Sequence, residues 1–212
     1  MKIPAILVLI LAFSSNIYSQ AIDLYPATML ESQTDIEISG SPLLIDSPYG
    51  QAVYFDGIDD AIFMGLMPLA GLTQFTVEAI FRPDRGGNIE QRFLHFGESN
   101  EDRLLFEIRT TETEWYFDAY INTSKGERAL IDPERLHPLD QWHHVAFVVN
   151  DGLLSTYVNG NKELEHRILM TPIQTGQSSI GVRQNKVSWF KGAIYQLRIS
   201  PEALSPNDFL TD

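Results

Sequence analysis

From residue 75 onward the chain alternates apolar and polar residues with a period of two. Phe75, Val77, Ala79 and Phe81 fall on one face of such a segment, and Thr76, Glu78, Ile80 and Arg82 on the other. Phe106 and Ile108 alternate with Glu107 and Arg109. Trp115, Phe117 and Ala119 alternate with Tyr116, Asp118 and Tyr120. Val145, Phe147 and Val149 alternate with His144, Ala146 and Val148, and the following run offers Ser155 and Tyr157 on its second face. Turn residues separate these runs: Pro83-Asp84-Arg85-Gly86-Gly87, Asn150-Asp151-Gly152 and Asn159-Gly160-Asn161. Half-buried strands joined by Asp-Gly and Asn-Gly turns are antiparallel hairpins. No long helical pattern intervenes, and residues 201–209 carry only a weak helical signal that suits a closing turn. The pattern predicts an all-β protein, a two-sheet antiparallel sandwich or jelly roll.

The first residues change the picture of where the chain works. Met1-Lys2, an apolar run from Ile3 to Phe13 and the polar Ser14-Ser15-Asn16 form the three regions of a signal peptide over residues 1–20, with small residues for a peptidase at Ser19 and Ala21. The run is shorter than the roughly 20 residues a spanning helix needs. The expectation is a secreted or periplasmic protein without membrane insertion, whose residues 21–212 form one domain. Removing the signal leaves 14 Lys and Arg against 28 Asp and Glu, a net charge near −14. Such a surface repels phosphate backbones, which disfavours nucleic acid as a partner. The chain has no Cys, which excludes disulfides, thiolate metal sites and a cysteine nucleophile.

Four segments in order carry a family resemblance. They are residues 50–60, residues 75–83, Trp142 to Val148 with the Asp151-Gly152 and Asn159-Gly160 turns, and residues 189–199 followed by Ala203-Leu204-Ser205. Together they resemble the laminin-G-like, pentraxin-like branch of the concanavalin A-like jelly rolls over roughly residues 40 to 210. The resemblance implies two curved antiparallel sheets, one of them concave and often the binding face. It also implies varied function: members bind glycans, proteins or calcium, and relatives on the same architecture degrade polysaccharides.

If the polar faces of the strands belong to one sheet, they gather Glu107, Arg109, Tyr116, Asp118, Tyr120, His144 and Tyr157, with Glu78 beside them. Aromatic area and charged hydrogen-bonding groups are what a sugar-binding surface requires. Glu78 and His144 match positions that look architectural in the family, so ligand contact falls chiefly to Arg109, Tyr116, Asp118 and Tyr120. His95, inside an apolar run, reads as a structural histidine. Asp56, Asp59 and Asp60 surround a glycine turn and offer oxygen ligands to a hard cation, so Ca2+ in a structural role is the candidate cofactor. Relatives commonly place an acidic pair in the last strand, where this chain has Ala193-Ile194-Tyr195-Gln196.

A secreted carbohydrate-binding, lectin-like module without catalysis is the first reading, with a glycan or polysaccharide as partner. A glycoside hydrolase of this fold carries Glu-x-Asp-x-Glu on one strand, and here Glu107-Ile108-Arg109 puts a cation at the second place. A lyase centred on Arg109 and His144, with Tyr116 or Tyr157, is the alternative, although the motifs of jelly-roll alginate lyases are missing. A calcium-assisted adhesion or protein-interaction domain is the third.

Overall fold

A computed structural model of the chain describes residues 20–210; the inferred leader, apart from Gln20, lies outside them. In chain order the elements are β1 (Ile22–Leu24), α1 (Pro26–Ser32), β2 (Ile36–Ser39), β3 (Leu43–Ser47), β4 (Gly50–Asp56) and β5 (Ala61–Met64). They continue with β6 (Gln74–Pro83), β7 (Glu90–Gly97), β8 (Arg103–Thr110), β9 (Glu114–Thr123), β10 (Gly126–Ile131) and β11 (His137–Pro138). The last are β12 (His143–Asn150), β13 (Leu153–Val158), β14 (Asn161–Arg167), β15 (Gln177–Ile180) and β16 (Lys191–Ser200), followed by a 3-10 turn at Pro206–Asp208.

The strands form two antiparallel sheets of eight. The first runs β14-β13-β12-β6-β16-β4-β3, with β1 also paired to β16. The second runs β10-β9-β8-β7-β15-β5-β2, with β11 paired to β9. The apolar faces named from the sequence all turn into the space between the sheets: Phe75, Val77, Ala79, Phe81, Phe106, Ile108, Trp115, Phe117, Val145 and Phe147 belong to one buried cluster. Phe81 of the first sheet stacks on Phe93 of the second, centroids 4.5 Å apart, and meets the edge of Trp115 at 5.1 Å. This is the jelly-roll sandwich that the alternation predicts.

The Asp151-Gly152 and Asn159-Gly160 turns have positive φ at both residues, the geometry that matches the twist of a two-residue hairpin. The short α1, which begins at Pro26, carries no signal long enough to show as helical periodicity. The segment after β16 folds back over the outer face of the first sheet. There Leu204 N donates to Thr76 Oγ1, Leu210 N donates to Glu78 Oε1, and the Phe209 ring lies against His144 and Tyr157.

Candidate functional site

The sequence-named residues divide between the two outer faces. Glu107 and Arg109 on β8 and Tyr116, Asp118 and Tyr120 on β9 share the outer face of the second sheet, in the register Glu107 opposite Asp118 and Arg109 opposite Tyr116. His144 on β12 and Tyr157 on β13 stand on the outer face of the first sheet, with the core between them and Arg109. The expectation of one shared surface is thereby corrected. Strand alternation fixes inward and outward sides, but it does not say which sheet a strand joins. A lyase centre that joins Arg109 to His144 is excluded by the same separation.

His144 and Glu78 do architectural work. His144 Nε2 lies 3.0 Å from Glu78 Oε1, and Arg198 Nε donates to Glu78 Oε2 at 2.8 Å. Burial alone would raise the Glu78 carboxyl, but hydrogen bonds from His144, the Leu210 amide and Arg198 hold it below its ordinary value. Tyr157 is covered by Phe209.

On the second sheet Arg109 sits at the centre of an ionic lattice. Its Nη2 is 2.8 Å from Asp118 Oδ2 and 3.5 Å from Glu107 Oε2, and its Nη1 is 2.9 Å from Glu90 Oε2. Arg92 reaches Glu107 at 2.9 Å, pairs also with Glu90, and donates to Ser188 Oγ at 2.6 Å. Arg103 stands 4.9 Å from the Tyr120 ring centroid, and Tyr120 donates its hydroxyl proton to Glu127 Oε2 at 2.6 Å. Sequence reasoning missed Glu90, Arg92, Arg103 and Glu127. The register of β7 against β8 shifts between Arg92 and Leu94, so the period-two signal breaks where two of them lie.

Glu107 and Asp118 are each only 3% exposed, while Tyr116 and Tyr120 are half-buried at the surface. Desolvation and then the Glu107 charge push the Asp118 carboxyl up to about 6, against the pull of Arg109 and Arg92. Burial also raises Glu107. Asp118 Oδ1 has no hydrogen-bond partner among the described residues. Both carboxylates are bridged by arginines, Glu107 by Arg92 and Arg109 and Asp118 by Arg109. The arrangement can present a fixed guanidinium and phenol rings to a ligand.

His95 belongs to the same outer face, under the segment 181–190. It is fully buried and accepts from the Gln184 amide at Nδ1, while Nε2 has no partner among the described residues. Desolvation and then Arg183 lower its pKa to about 4, so the ring is neutral.

Asp56, Asp59 and Asp60 bring one oxygen each within 4.8 Å of one another, close enough to share a cation. Their hydrogen bonds also build the turn. Asp60 accepts from Ser41 N at 2.6 Å and Asp56 N at 3.0 Å, and Asp56 Oδ1 accepts from Ile58 N and Asp59 N. Burial raises Asp60, and the charges of Asp56 and Asp59 add to that. Asp59 and the second oxygen of Asp56 carry none of these bonds, so the donor set is of the kind a hard cation takes.

Residues 45–208 match the laminin G family described as the concanavalin A-like lectin/glucanases superfamily. No curated protein matches the chain. Among solved structures it is similar to domain 4 of AbnA, a GH43 extracellular arabinanase from Geobacillus stearothermophilus, in complex with arabinotriose (TM-score 0.63, 21% identity, 81% of this chain and 84% of that one). A heptameric SAP-like pentraxin from Limulus polyphemus aligns with TM-score 0.56 and 21% identity over 81% of this chain and 78% of its own. The botulinum neurotoxin serotype D binding domain aligns at 0.62 and 15% identity over 82% of this chain, which spans 44% of it.

Proposed function

The chain belongs to the laminin G family of the concanavalin A-like superfamily, and from that premise we propose a secreted or periplasmic, non-catalytic carbohydrate-binding module. The observation that carries this reading is the convergence of a part-exposed arginine, held by buried carboxylates, and two half-exposed tyrosines on one sheet face. A ring face of a sugar packs on Tyr116 or Tyr120, and its hydroxyls accept hydrogen bonds from Arg109. The complex of a fold neighbour with arabinotriose supports the ligand class. The pairing of Glu107 and Asp118 with arginines, in place of two neighbouring free carboxylates, favours binding over hydrolysis.

A glycan array tests it. Native protein is expected to bind at least one glycan, and Tyr116→Ala to weaken that binding about tenfold without altering the melting temperature. Absence of binding across the array, or full binding by the variant, overturns the assignment. The same reading gives the Asp56, Asp59 and Asp60 turn a structural calcium, which would relieve the crowding of three carboxylates. After dialysis against EDTA, millimolar calcium should raise the melting temperature, and Asp59→Asn should blunt the rise. An identical melt with and without calcium removes the ion from the account.

A further inference from the structure

Four aromatic side chains from remote parts of the chain meet on the outer face of the first sheet, away from the Arg109 lattice. Trp142 precedes β12, Tyr49 lies in the β3–β4 turn, Tyr195 is on β16 and Tyr25 precedes α1. Tyr49 meets Trp142 edge to face at 5.8 Å between centroids, and Tyr195 at 5.4 Å with a 36° tilt. Tyr195 in turn meets Tyr25 at 5.7 Å. None of the four is buried, and Tyr25 is 37% exposed.

The backbone is shaped to present them. The register of β16 against β6 shifts between Ile194 and Gln196, so Tyr195 is an extra residue and both it and Gln196 face outward. A bulge is the usual device for re-aiming a side chain. The row has a polar rim. Arg82 stands 5.6 Å from the Trp142 ring and is clamped by Asp84, Nε to Oδ1 at 2.7 Å and Nη2 to Oδ2 at 3.0 Å. At the Tyr195 end Gln196 Nε2 donates to Asp23 Oδ1 at 2.8 Å.

We propose that this row is a second carbohydrate platform that takes uncharged pyranose units of a polysaccharide. A pyranose presents C–H groups that pack on an aromatic ring, and hydroxyls around its edge that donate to carboxylates. The rim offers Asp23, of which Oδ1 takes the Gln196 bond, as an acceptor, and its cation is paired through both Asp84 oxygens, so it suits a ligand that brings O–H donors and no charge. The net charge of −13 works against polyanions. A proline-rich peptide, the other common ligand of aromatic grooves, brings mainly carbonyl acceptors and needs donors from the protein. The proposal shares with the preceding reading only the class of ligand; the face and the residues are different.

Affinity electrophoresis of the native protein through hydroxyethylcellulose, galactomannan, xyloglucan and alginate tests it. At least one of the three neutral polymers should retard the protein. Trp142→Ala and Tyr195→Ala should each weaken that retardation about tenfold, while Tyr195→Phe keeps it. Melting curves of the variants verify that they fold. Retardation by alginate alone, by no polymer, or undiminished from native in both alanine variants overturns the platform. So does binding of a polyproline peptide that the same variants lose while no neutral polymer binds. Tyr116→Ala separates the two faces. Loss in Tyr116→Ala alone sinks the aromatic row and keeps the Arg109 face; loss in the ring variants alone does the reverse. Partial loss in each, deepened in Tyr49→Ala/Tyr116→Ala, supports both.

Discussion

Asp118 and His95 show how one sheet face can hide two opposed titrations. Asp118 is raised to about 6, so the folded chain holds its proton more tightly than the unfolded one. Its contribution to stability is greatest at low pH and falls as pH rises toward 6. His95, lowered to about 4, contributes fully above its ordinary value near 6.5 and loses that contribution as pH falls toward 4. On acidification from pH 6 to 4 the two changes offset. Asp118→Asn removes one side, so the melting temperature of the variant should fall more steeply with acid than that of the native protein. Parallel curves would show that Asp118 ionises normally. The sequence marked Asp118 as outward-facing and His95 as structural. It gave no sign that the two share a face, because the 181–190 segment that covers His95 arrives from far along the chain.

At the level of elements, the turns were legible because their chemistry is local. Asp151-Gly152 and Asn159-Gly160 both need positive φ, and both have it. Their surroundings differ. A Cβ at Gly152 would stand 2.4 Å from the Ile168 carbonyl oxygen, whereas nothing lies within 4 Å of one at Gly160. Gly160→Ala should therefore cost about 1 kcal/mol from backbone strain, and Gly152→Ala clearly more. Chemical denaturation of the two variants measures the difference; equal losses would mean that the hairpin shifts to relieve the clash. Bulges were not legible. At Tyr195 and at Phe93 one strand gains a residue over its neighbour, a mismatch that exists only in the pair.

Across the whole molecule, the acidic surface and the sandwich set what the protein meets. With a net charge of −13, it should give no shift of duplex DNA and no retention on heparin at physiological salt. Retention there would reveal a local cationic face dominating the global field. The sandwich, the inward and outward side of each central strand and the two glycine hairpins can be read along the chain, because they follow from neighbours one or two residues apart. Long-range pairing instead settled which strands share a sheet. It sent Arg109 and His144 to opposite faces, closed Glu78 under the C-terminal segment and lined up Tyr25, Tyr49, Trp142 and Tyr195. Those outcomes depend on pairing between segments many residues apart, and on which loop or terminus covers each face, so no local period encodes them.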